Sequence, residues 1–120
     1  MTVTTDELPL LLFWERVAQD LLDRTSKMPK AMRFTFAQRI DNHVLDVLEQ
    51  LAAARYAEPA RKRLLLASID EALARLRILV RLGHGRRLLD GGGYEHVARG
   101  LDEAGRMVGG WRQSLTGSRN

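Results

Sequence analysis

The chain has 120 residues, 45% of them hydrophobic, which is enough for one domain with its own core. It contains no cysteine, which excludes disulfides and thiolate metal sites, and its apolar run at residues 8–14 is too short to span a bilayer. Because acidic residues precede that run, where a signal peptide would be basic, we expect a cytoplasmic protein. The net charge of +4 is unevenly spread: residues 55–87 carry nine basic and three acidic side chains, an excess of +6 that points to an anionic partner.

The first half of the chain predicts two helices, at about residues 6–24 and 36–56. The apolar stripe of the first comprises Leu10, Leu11, Trp14, Val17, Leu21 and Leu22. The stripe of the second comprises Phe36, Ile40, Val44, Val47, Leu48 and Leu51. Thr35 with Gln38 three residues on has the spacing of a capping box, so we expect the second helix to start there.

A third helix is predicted at about residues 59–82, with Pro59 in its first turn. Its core-facing residues are expected to be Leu65, Ile69, Ala72, Leu76, Leu79 and Val80. Residues 83–93 hold five glycines, so they are predicted to be the loosest part of the chain. The triple glycine at residues 91–93 is interpreted as a flexible hinge, since it lacks the preceding strand and the Lys-Ser/Thr of a P-loop.

The fourth helix, at about residues 94–115, has the most regular pattern. Its apolar residues alternate steps of three and four: Tyr94, Val97, Leu101, Ala104, Val108, Trp111 and Leu115. Gly105 and Gly109 lie beside this seam and predict close approach of another backbone, or simple tolerance of a weak helix end. Residues 116–120 are expected to be disordered. Four such helices with short connections predict an all-α, up-down-up-down four-helix bundle in a single domain.

The basic face of the third helix is the main functional signal. At 100° per residue, Arg77 and Arg81 lie about 40° apart and Arg63 falls nearly in line with Arg81. Lys62 flanks this row, and Arg86 and Arg87 extend it. Such a row can track a phosphate backbone, although a merely solvated face has the same composition. A second basic group, Lys27, Lys30 and Arg33, lies in the loop before the second helix.

Catalytic and metal-binding patterns are missing from the sequence. The histidines lack ligand spacing, and His43 near Asp46 is a weaker candidate for an acid–base pair than for a surface or interfacial residue. The serines have no nucleophile motif. We therefore expect no enzyme, no metal and no cofactor. Trp14 and Trp111 lie on apolar faces, where they would serve either the core or an oligomer interface.

Three segments resemble a known family. Residues 28–40 read MPKAMRFTFAQRI, which is similar to the signature of a bacterial four-helix-bundle superfamily. One branch holds the accessory variability determinant proteins (Avd) of diversity-generating retroelements, and another the proteins encoded in ribosomal-RNA intervening sequences. Residues 102–111, DEAGRMVGGW, resemble the ending typical of Avd, and residues 51–56 resemble the end of its second helix. Ala37 departs from the family's usual glycine, which a helix tolerates.

The resemblance implies a homopentamer of four-helix protomers that partners the error-prone reverse transcriptase and binds template RNA. Phosphate or partner contacts are then expected from Arg63, Arg77, Arg81, Arg86, Arg87 and Lys62, and packing or assembly from Gly105, Gly109 and Trp111. Two alternatives remain: a purely protein-binding structural module, and a protein of the ribosomal-RNA-associated branch.

Overall fold

Four amphipathic stretches form four helices in the computed structural model, which describes residues 7–117. The helices are α1 (Glu7–Ser26), α2 (Gln38–Tyr56), α3 (Pro59–Gly85) and α4 (Gly91–Gly117). Helices adjacent in sequence pack against each other and α4 closes on α1, where the contact is the least extensive of the four. The molecule is about 50 Å long and 24 by 19 Å across. The all-α four-helix bundle is thereby confirmed.

The core runs along the axis of the bundle and buries both tryptophans. The predicted seam of α4 is confirmed, since its residues from Val97 to Trp111 are buried while Tyr94 and Leu115 are partly buried at the ends. Trp14 lies fully inside and its Nε1 donates to the carbonyl of Val44 at 3.0 Å. The tryptophans therefore serve the core of the protomer and are not available for an oligomer interface.

Four of the six core-facing residues predicted for α3 are confirmed as buried: Ile69, Ala72, Leu76 and Val80. Leu66 and Leu73 are fully buried, whereas Leu65 and Leu79 are only partly buried. The run of leucines at residues 64–66 fits several helical faces, so periodicity alone does not select one. The buried face of α3 therefore includes Leu66 and Leu73 besides the residues predicted.

The predicted capping box at Thr35 is wrong. Residues Lys30–Met32 form a 3-10 turn and Arg33–Ala37 a π-helical turn that runs directly into α2. The amide of Gln38 bonds to the carbonyl of Arg33, and no side chain caps the helix. Since the backbone is already helical before residue 38, there are no free amides for Thr35 to cap.

The glycine-rich connection between α3 and α4 is shorter and more ordered than expected. Only residues 86–90 lie between the helices, and the triple glycine forms the first turn of α4. Asp90 caps that turn, because its Oδ1 accepts from the amide of Gly93 at 2.6 Å. The hinge interpretation is therefore wrong. At the other boundary, Glu58 caps α3 by accepting from the amide of Arg61, with Pro59 in the first turn as predicted.

Helix α3 ends in a Schellman motif. The amide of Leu88 bonds to the carbonyl of Gly83 at 2.8 Å and that of Arg87 to His84 at 3.0 Å. Arg87 occupies the left-handed position of this motif with φ 65°. At the C-terminus, Thr116 and Gly117 belong to α4, whereas residues 118–120 of the predicted tail lie outside the described residues.

Candidate nucleic-acid interface

Lys62 does not belong to the exposed basic row that the sequence predicted on α3. Its side chain is only 15% exposed, with Nζ 3.7 Å from a carboxylate oxygen of Glu7 and 5.7 Å from the ring centroid of Trp111. The ammonium therefore faces the end of α1 and the indole of α4 instead of solvent. A phosphate could approach it only after these contacts were broken.

Arg77 connects α3 to α4. Its Nε donates to Oδ1 of Asp102 at 3.3 Å and its Nη2 to the carbonyl of Leu101 at 3.3 Å. The guanidinium lies against Gly105, where a Cβ would collide with it. Gly105 thus makes room for the side chain of Arg77, whereas the sequence had predicted the close approach of another backbone. Gly109 has open space around it, so it makes no such contact within the protomer.

A second ion pair joins the same two helices. Arg112 Nη1 donates to Oδ2 of Asp70 at 2.9 Å. Together with the pair of Arg77 and Asp102, it neutralises the side of α3 that faces α4. Less positive charge is therefore free on α3 than the sequence count implies.

Four arginines of the predicted set remain exposed: Arg63, Arg81, Arg86 and Arg87. None of them forms an ion pair with any residue between 7 and 117. Arg63 and Arg81 are separated by 18 residues of helix, which is about 27 Å at 1.5 Å per residue. The row is therefore divided, with Arg63 near one end of the bundle and the other three arginines at the opposite end.

The basic loop before α2 lies at the same end as the C-terminus of α3. A Cβ placed on Gly83 would lie 3.1 Å from Cε1 of Phe36, so these two segments are in contact. Lys30 and Arg33 are exposed there and have no acidic partner in the described part of the chain, whereas Lys27 pairs with Asp23 at 3.2 Å. We call the exposed cations at this end the basic end: Lys30, Arg33, Arg81, Arg86 and Arg87.

An exposed aromatic ring and a cleft accompany the basic end. Phe34 is 80% exposed, although Phe36 two residues later is buried. Beside it lies a cleft of about 370 Å³ lined by Thr25, Ser26, Met28, Arg33, Phe34, Ala37, Gln38 and Asp41. Sequence reasoning missed Phe34. The available signal was its spacing: two residues from Phe36 in a helical stretch, it cannot share the buried face.

Apolar residues also line the outer side of α3. Leu64, Ile78 and Leu82 are each more than half exposed. They follow helical spacing along the outer face of α3. This stripe is an exposed apolar surface that the sequence pattern did not predict.

A second cleft, of about 570 Å³, separates α1 from α4. It is lined by Phe13, Arg16, Val17, Asp20, His96, Val97, Arg99, Gly100 and Glu103.

Arg106 donates to the side chain of Glu103, and this hydrogen bond lowers the pKa of that carboxyl below its ordinary value. Stabilisation from this pair is present above the ordinary pKa and is lost as the pH falls through the lowered one.

Two of the histidines lie close to groups of neighbouring helices and loops. His84 stacks on Tyr94 with ring centroids 4.6 Å apart, and its Nδ1 lies 3.2 Å from the carbonyl of Leu89. His96 lies 3.8 Å from the carboxylate of Asp20 at the surface.

Between residues 7 and 117, no group of three or more acidic, histidine or cysteine side chains could hold a metal ion. No helix in that range is long and apolar enough to cross a membrane.

Comparison with family models decides the affiliation that the tail motif had indicated. A model described as bAvd-like matches residues 10–115. The chain belongs to the bAvd-like family. The match extends over all four helices and confirms the resemblance to Avd seen in the loop and tail. No curated protein and no solved structure matched the chain. As a bAvd-like protein, the chain is assigned an accessory role in a diversity-generating retroelement.

Proposed function

We propose that this bAvd-like protein binds RNA or DNA and the error-prone reverse transcriptase of its retroelement, and thereby supports mutagenic cDNA synthesis. The observation that carries the proposal is the basic end, where five exposed cations from two segments of the chain lie together without acidic partners in the described residues. Unneutralised arginine and lysine side chains favour phosphate, since binding releases the counterions condensed on nucleic acid.

In this proposal the protein acts by binding and performs no reaction of its own. Arg81, Arg86 and Arg87 contact phosphates, assisted by Lys30 and Arg33. Arg77 and Lys62 hold the bundle together, since their charges already face Asp102 and Glu7. Arg63, at the far end, is outside the contact surface.

Removal of two cations from the basic end tests the proposal. The Arg86→Ala/Arg87→Ala variant should bind single-stranded RNA more weakly, and the slope of log affinity against log salt should fall by about 1.4. The matched control is Arg61→Ala/Arg63→Ala, which removes the same charge from exposed positions at the start of α3. Fluorescence polarisation at several salt concentrations measures both.

Equal losses in the two double variants would show that only total charge matters and would contradict a localised site. Unchanged binding in both would mean that the basic end is merely solvated.

A protein-only binding module is the second candidate, and the apolar stripe of Leu64, Ile78 and Leu82 favours it. Such a module would co-purify with the reverse transcriptase but give no nucleic-acid shift at low salt. The proposed function requires both the co-purification and the shift. The homopentamer implied by the family resemblance is part of the same proposal, with the stripe as a contact between copies.

A further inference from the structure

We propose that the cleft beside Phe34 binds an unpaired nucleobase that carries an exocyclic amino group, so that the basic end is specific for single-stranded nucleic acid. The inference rests on the proposed function and narrows it, since it names the form of nucleic acid and the part of it that enters the protein. The inference is supported by the ring of Phe34, the carboxylate of Asp41 and the cations of the basic end.

The ring is that of Phe34. Burial of a phenylalanine side chain is strongly favourable, and at 80% exposure Phe34 forgoes most of that stabilisation. The π-helical turn Arg33–Ala37 adds a residue to the helical turn, and π turns of this kind occur often at functional sites. An exposed aromatic ring beside cations offers a nucleobase a stacking surface, and every base has a face that can use it.

The carboxylate is that of Asp41, on the wall of the cleft. Its Oδ1 accepts from the hydroxyl of Thr25 at 2.6 Å, which ties the side chain to the end of α1. Its Oδ2 has no hydrogen-bond partner among the described residues. A carboxylate only accepts hydrogen bonds, so it suits the amino groups of adenine, cytosine or guanine. Uracil and thymine offer only a ring N3–H, which lies between two carbonyl oxygens that a carboxylate repels, so they should bind more weakly.

The arrangement of the cleft and the cations suits a single strand of nucleic acid. Arg33 lines the cleft itself, Lys30 lies in the preceding turn, and the end of α3 adds three arginines. A volume of about 370 Å³ leaves room for a single base. Bases in a duplex are stacked and paired and cannot enter such a cleft, whereas those of a single strand can turn outward.

Binding of labelled homopolymers tests the inference. Oligonucleotides of about 12 nucleotides lie within the range of about 4–16 nucleotides that single-strand sites cover. We expect oligo(A) and oligo(C) to bind the full chain roughly tenfold more tightly than oligo(U), within the range of discrimination by a good base contact. Asp41→Asn should remove most of this difference, because an amide can pair with uracil as well.

Loss of the ring should weaken single-strand binding specifically. Phe34→Ala should lose roughly 5- to 150-fold in affinity for oligo(A), the range given by about 1–3 kcal/mol per stacked base, while binding of a duplex stays unchanged. Phe34→Tyr should retain the affinity. The control is Tyr56→Ala, which removes an aromatic ring of 82% exposure from the opposite end of α2. Circular dichroism should show native helix content in all three.

The outcomes separate the two proposals. If the wild-type chain binds RNA but Phe34→Ala binds oligo(A) equally well, the base site is refuted and the proposed function stands. If the wild type binds no nucleic acid, both fail. If an acidic peptide binds in a Phe34-dependent manner while no oligonucleotide does, the cleft is a protein-docking site and the inference is again overturned.

Discussion

Arg87 occupies a backbone position that glycine would adopt at lower cost. Its φ of 65° lies in the left-handed region, where an L-residue is disfavoured by roughly 1–2 kcal/mol, and it completes the Schellman motif at the end of α3. Strained positions with an unexpected residue often serve function. Here the retained side chain is a cation of the basic end, so we interpret the strain as the cost of placing charge there.

Substitution of Arg87 by glycine should separate stability from binding. Arg87→Gly should raise the free energy of unfolding by about 0.5–1 kcal/mol, since relief of the left-handed strain exceeds the added chain entropy of glycine. The same variant should bind RNA less tightly. Urea denaturation measures the first effect and fluorescence polarisation the second.

The neighbouring residue provides the control. Arg86 has a φ of −91°, so Arg86→Gly gains nothing from strain relief and should be neutral or destabilising. A stability gain in Arg86→Gly equal to that of Arg87→Gly would refute this account of the motif.

Helical elements were predictable from the sequence to the extent that their patterns were unique. The apolar seam of α4 was predictable, because its alternating apolar residues fit only one face of the helix. The buried face of α3 was predictable only in part. Ile69, Leu76 and Val80 are buried as expected, but Leu64, Leu65 and Leu66 offer three adjacent choices. Thr35 and Gln38 match a capping box, but spacing cannot show that the preceding residues are already helical.

The start of α4 shows a compensating pair of features that composition concealed. Three glycines suggest a break, since each disfavours a helix by about 1 kcal/mol relative to alanine. Asp90 offsets part of this cost by capping the turn, and the side chain of Arg24 lies against Gly93. The helix therefore starts at the triple glycine with the help of contacts that composition does not reveal.

Loss of that cap should fray α4. Asp90→Ala is expected to lower the free energy of unfolding by about 1–2 kcal/mol and to accelerate hydrogen exchange in the first turns of α4. Native-state hydrogen exchange by mass spectrometry checks this. Glu58→Ala removes the corresponding cap of α3, where Pro59 and ordinary helix formers follow, so its effect should be smaller. Equal protection of residues 91–97 in wild type and Asp90→Ala would contradict the role of the cap.

The molecule as a whole combines two surfaces of different character. The basic end supplies charge, and the outer side of α3 supplies the apolar stripe of Leu64, Ile78 and Leu82. The sequence predicted the arginines at the end of α3 and the basic loop before α2, but their proximity depends on the contact of Phe36 with Gly83. Of the predicted cations, Lys62 is largely buried beside Glu7, whereas Arg77 is 40% exposed and paired with Asp102. Both arrangements depend on partners that are remote in sequence.

Introduction of charge on the stripe tests its part in assembly. Ile78→Glu should lower the mass in solution to that of a monomer, because a carboxylate buried between copies would be unpaired. Size-exclusion chromatography with light scattering gives the mass. Leu45→Glu is the matched control, as Leu45 is an exposed leucine on α2 and should leave the assembly intact. A monomeric wild-type protein, or an Ile78→Glu variant of unchanged mass, would refute assembly through this stripe.

The least extensive contact of the bundle, between α1 and α4, is also the pairing most distant along the chain. The other three pairings join neighbouring helices through short connections, so they lose little loop-closure entropy and can form early. Closure of α4 on α1 encloses the whole chain and gains the smallest interface. We therefore expect this seam to form last during folding and to open first near the denaturation midpoint, with α2 and α3 as the persistent spine.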